Sequence, residues 1–188
     1  MSNLHKVVIH MYVLLCLSVA ISGLKAQQIT YTAAFTQKIE KLGIEMYEPV
    51  ESLLHVYPLE EDDFMAYDLV LQNDINDFEV RFRIRPENGK WQRTPENVEV
   101  LRLLTSVATN DLEADIRRII PEDGFFVEAY NATGGFMAKF VPKETYSEKQ
   151  YGTLVSIYRE GVGAIDIVLL YHDAHYSAYN SFRGIRFD

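Results

Sequence analysis

Cysteine is almost missing from this sequence. The 188-residue chain has one, Cys16, inside an apolar leader. The body of the protein therefore has no disulfide, no thiol nucleophile and no cysteine-held zinc, and its stability rests on core packing alone. Basic charge is scarce as well. Lys and Arg number 18 against 27 Asp and Glu, a formal charge of −9. A surface of that sign repels phosphate backbones, so nucleic acid is not an expected partner. The sequence also lacks G-x-S-x-G, H-E-x-x-H, a phosphate loop and a dinucleotide fingerprint. Gly161-Val-Gly163 reads as a turn between two elements.

Residues 1–26 read as a signal peptide. Lys6 supplies the positive start, residues 7–20 are apolar, and Ala26 ends a cleavage site before Gln27-Gln28. Leu24 is large for its place three residues before the cut, so cleavage after Ala20 or Gly23 also fits. Two alternatives attach to the same segment. Residues 7–24 are long enough for an uncleaved anchor. Cys16 would mark a lipoprotein, although Leu15 stands where a small residue is usual. With the leader cut, residues 27–188 form a single exported domain, periplasmic or secreted, with no stable membrane insertion expected. Loss of Lys6 and Lys25 takes the 18 basic residues to 16 against the same 27 acids, a charge of −11.

Residues 64–86 carry the clearest pattern in the body of the chain. Phe78, Val80, Phe82 and Ile84 alternate with Glu79, Arg81, Arg83 and Arg85. That period of two is the mark of a strand with one buried face. Before it, Tyr67, Leu69 and Leu71 share a face, and the polar run 73–77 suits a hairpin loop. The pair is expected at the centre of a sheet. Residues 31–42 read as a helix capped by Thr32 and stopped at Gly43, followed by a short strand over 44–47 and an apolar run over 52–57. Thr94-Pro95-Glu96 opens a helix whose buried stripe is Val100, Leu101, Leu104, Val107 and Ala108. Leu112, Ile116, Ile119 and Ile120 suggest a second short helix. Residues 125–130 and 136–141 read as strands around a glycine-rich turn. Ser147 and Gln150 resemble a capping box ahead of a helix with Tyr151, Leu154, Val155 and Tyr158. Residues 164–172 are apolar on both faces, as a central strand requires, and 181–187 read as an edge strand. The sum is an α+β domain, a mainly antiparallel sheet of about seven strands with flanking helices.

This order of elements resembles the PsbP-like superfamily. The stretches that carry the likeness are Gly43-Ile-Glu-Met-Tyr-Glu-Pro49 ahead of a meander, a hairpin ending in Phe140-Val-Pro142, a helix, and then Ala164-Ile-Asp-Ile-Val-Leu-Leu-Tyr171. The likeness spans residues 42–171 and lies in element order, with no shared motif. It implies an αβα sandwich, an antiparallel sheet between helical layers, and a protein that binds or assists other proteins without catalysis. It implies no site residue.

Three groups of residues are candidates for chemistry. Arg81, Arg83 and Arg85 repeat about every 7 Å along one strand face and suit a carboxylate-bearing partner. The structural alternative is pairing with Asp68 and helix acids. His172, Asp173 and His175 could hold a metal ion if the chain turns there, with His55 as a further ligand. Glu60-Glu-Asp-Asp63 and Asp74-Ile-Asn-Asp77 offer hard oxygens for calcium, or simply solvated loops. The expectation is an exported, non-catalytic binding or accessory protein whose partner is another protein and whose exposed face carries Arg81, Arg83 and Arg85. No cofactor is expected. The alternative is a metal-assisted hydrolase built on His172 and His175.

Overall fold

In a computed structural model of the chain, residues 29–47, 54–57, 67–73, 77–87, 98–110, 116–172 and 184–188 are described. The leader, both acidic clusters apart from Asp77, the start of the helix at 94–97, Asp173 and His175 lie outside them. The elements in chain order are α1 (Ala33–Lys41), β1 (Ile44–Met46), β2 (His55–Tyr57), β3 (Leu69–Asn73), β4 (Phe78–Pro86), α2 (Val98–Val107), β5 (Arg117–Ile119), α3 (Phe125–Tyr130), β6 (Gly134–Phe140), β7 (Tyr151–Arg159), β8 (Gly163–Tyr171) and β9 (Ile185–Phe187).

Seven strands make one antiparallel sheet in the order β2-β3-β4-β8-β7-β6-β5. The expected α+β fold with a mainly antiparallel sheet is therefore present. The β3–β4 hairpin is there too, but the middle place belongs to β8. Every residue of β8 is buried, which is why its sequence is apolar on both faces. β1 and β9 form a separate two-stranded ribbon, so 44–46 and 185–187 pair with each other and not with the main sheet.

The sheet lies between two cores. On one face α1, the ribbon and the end of α3 pack on Leu69, Phe82, Ile167, Val155 and Met137, a row that runs straight across the strands. On the other face α2 packs Val100, Leu103, Leu104 and Val107 against Val70, Val168, Leu154 and Ala138. α1 starts where Thr32 accepts a hydrogen bond from the Phe35 N–H and stops before Gly43, whose φ of +57° glycine adopts most readily.

Five expectations are corrected. Residues 117–119 are the edge strand β5 and not part of a helix. Residues 125–130 are the helix α3, because coiling turns Phe125, Phe126 and Tyr130 into one cluster of ring contacts and leaves Val127 outside. Residues 151–159 are the strand β7, packed between β6 and β8; Ser147 receives the Lys149 N–H in a turn and caps no helix. Tyr67 lies before β3 and joins the α2 core, opposite Leu69 and Leu71. In α2 the buried stripe includes Leu103, and Leu101 faces out.

Candidate functional site

The arginine row is buried at Arg85 and half-buried at Arg81 and Arg83. Arg85 is 7% exposed and Asp166 is 1% exposed at the side chain. Arg85 Nε donates to Asp166 Oδ2 at 2.6 Å and Nη2 donates to Oδ1 at 2.7 Å. Ser156 Oγ donates to the same Oδ1 at 2.7 Å. Register explains the geometry. Ser156, Asp166 and Arg83 stand directly opposite one another on β7, β8 and β4, and Arg85 reaches the aspartate along the diagonal. Arg83 turns instead to Glu99 in the first turn of α2, at 3.7 Å, and Arg102 meets the same carboxylate at 3.1 Å. Arg81 pairs with Glu79.

Arg81 also sits between two tyrosine rings, 4.4 Å from the Tyr146 centroid and 5.6 Å from that of Tyr67. The two hydroxyls share a hydrogen bond of 2.6 Å. Burial pushes the Tyr67 hydroxyl up to about 12, and burial together with Tyr67 pushes Tyr146 up as well. The expected exposed basic strip is corrected at Arg85, which is buried on Asp166; Arg81 and Arg83 are half-buried beside α2, paired with Glu79 and Glu99. Pairing with a helix acid is found at Arg83. Asp68 takes Lys38 and the Ile84 N–H and leaves the arginines to other partners. Sequence reasoning missed Asp166, although a lone carboxylate in the middle of a doubly buried strand signals a need for some cation beside it without saying which.

At the opposite end of β8, His172 Nε2 lies 3.0 Å from Asp77 Oδ2, and Lys149 contacts the other oxygen of that carboxylate. Among the described residues no group of three His, Cys, Asp or Glu side chains is placed to hold a metal ion. His55 cannot complete a site at His172. It stands on β2, three strands from β8, which is about 14 Å at the usual strand spacing.

Sequence reasoning missed a cleft on the ribbon side of the sheet. Its floor is Leu71, Phe78, Val80 and Phe82, and its walls include Met46 and Ile185 of the ribbon and Tyr31 ahead of α1. It holds about 30 Å³ of space for water-sized groups and opens to solvent at one side. The floor residues are the same alternating set that marks β4 as a strand, so the pattern predicts an apolar face. Among the described residues, the ribbon's position leaves a gap above that face, whose side chains are themselves buried.

No family model, curated protein or solved structure matches the chain. Among the described residues no helix is long and apolar enough to cross a membrane.

Proposed function

We propose that the protein is an exported, non-catalytic binding module that holds an apolar group of a partner protein in the cleft between the β1–β9 ribbon and the sheet. The observation that carries this reading is the cleft itself. Interiors pack at crystal-like density, so apolar side chains left facing a hollow lack contacts that an entering group supplies. Its space of about 30 Å³ exceeds the roughly 10–15 Å³ that one water needs, so a small apolar group fits. The leader pattern of residues 1–26 supports export. The PsbP-like resemblance supports a binding role through its element order, although the helix it places before the last long strand is the strand β7. The metal-assisted alternative requires His172 to exchange Asp77 for a cation, and no observation favours that exchange.

The test is titration of residues 27–188 with the apolar dye anilinonaphthalene sulfonate, beside Met46→Trp, which fills the cleft from the ribbon. The dye should bind the native protein and bind the variant at least tenfold more weakly, with the thermal midpoint unchanged. Equal binding by both proteins, or none by either, overturns the cleft as the ligand site.

A further inference from the structure

The far edge of the sheet holds a charge arrangement that the fold does not need. Arg117 on β5 stands directly opposite Lys139 on β6, and both side chains are exposed. Like charges in that position repel. Neither makes an ion pair among the described residues, in a chain where acids outnumber bases 27 to 18. Protection of a sheet edge by charge accounts for an arginine on β5. It does not account for Lys139, because β6 is paired on both sides and has no edge to protect. On the other face of the same strand, Ile116 is 45% exposed and Ile120 81% exposed, on either side of Arg118.

We propose that β5 takes an acidic, extended segment of a partner protein as an eighth strand. β5 is the last strand of the seven, and its outer side carries no strand among the described residues. Strand addition at such an edge gains ladder hydrogen bonds, while alternate side chains set the specificity. An antiparallel strand laid on β5 meets Ile120, Ile119, Arg118, Arg117 and Ile116 in that order. The sequence that fits is apolar, any, acid, acid, apolar. A carboxylate opposite Arg117 relieves the repulsion from Lys139, and the apolar positions cover Ile116 and Ile120. A second copy of the chain does not fit by self-pairing of β5, since that register sets arginine against arginine. A phosphate backbone is disfavoured by the net charge of −9.

This surface is four strand intervals from β4 and the cleft floor, and it stands without the cleft reading. The experiment uses residues 27–188 and a fluorescein-labelled peptide, Thr-Val-Thr-Glu-Glu-Val-Thr, beside its Lys-Lys counterpart. The native protein should bind the acidic peptide at least tenfold more tightly, with affinity falling as salt rises. Lys139→Glu should weaken that binding at least tenfold while raising the thermal midpoint, because it turns a repelling pair into an ion pair. Arg117→Glu with Lys139→Glu should reverse the preference toward the Lys-Lys peptide. Met46→Trp should change none of this, which separates a failure here from a failure of the cleft. Equal affinity for the two peptides, no binding of either, or native affinity in the double variant overturns the proposal.

Discussion

Asp166 and Arg85 form the buried charge pair on which the α2 face depends. Placing two charges beneath a helix costs several kcal/mol of desolvation, offset here by two direct hydrogen bonds and by Ser156. Removing one partner should be far worse than removing both. Asp166→Ala is expected to lower the unfolding free energy by about 3–5 kcal/mol. Replacement of both residues by leucine should return most of that loss. Urea unfolding of Asp166→Leu, Arg85→Leu and the double leucine variant gives the coupling directly. Equal losses in Asp166→Ala and the double leucine variant would mean that the pair is not the source. The arginines themselves were legible in the sequence as a strip of one sign. Their partners were not, because an ion pair across strands depends on register, and Asp166 lies 81 residues from Arg85 along the chain.

At the scale of the element, α2 shows how far periodicity reaches. Helical spacing puts Leu101 in the buried stripe and passes over Leu103, and the rotation of the helix on the sheet reverses the two. Leu103 is 0% exposed and Leu101 is 48% exposed. Leu103→Ala should therefore cost about 2–5 kcal/mol, and Leu101→Ala less than about 0.5 kcal/mol, in thermal or urea unfolding. The reverse order would mean that α2 is turned on its axis. β7 and α3 show where periodicity misleads. Tyr151, Leu154, Val155 and Tyr158 fall at helical spacing, yet a strand buried on both faces shows no alternation to contradict them. Thr153, Val155 and Ile157 were the better guide, since β-branched side chains favour the pleat. In α3 the run Phe-Phe-Val-Glu-Ala-Tyr has strand composition. Ring packing and Asn131, in a left-handed cap that donates to the Phe187 and Asp188 carbonyls, hold it as a helix.

For the molecule as a whole, alkaline pH should find the α2 side of the sheet. A tyrosine hydroxyl ordinarily ionises near 10, and Tyr67 is pushed up to about 12 by burial, with Tyr146 raised beside it. The folded state keeps protons that the unfolded chain gives up. The stability tied to these groups is thus complete below pH 10 and is lost as pH rises through about 12. The urea midpoint should fall between pH 9 and pH 11. A variant with Tyr67→Phe and Tyr146→Phe should show a shallower fall over the same range. Parallel slopes in the two proteins would show that the pair stays protonated for no structural reason.

The sequence by itself determined the class of this protein: an acidic, disulfide-free α+β domain whose sheet holds an alternating strand, β4, and one strand apolar on both faces, β8. Those features follow from side-chain periodicity and composition, which are local. Tertiary structure alone decided three further matters. It set 125–130 as helix and 151–159 as strand, because burial on both sides overrides local spacing. It buried Arg85 and half-buried Arg81 and Arg83, because α2 and Asp166 arrive from distant parts of the chain. Among the described residues it also left a gap at the cleft and no strand beyond β5, because the cover of a sheet depends on where the other layers come to rest.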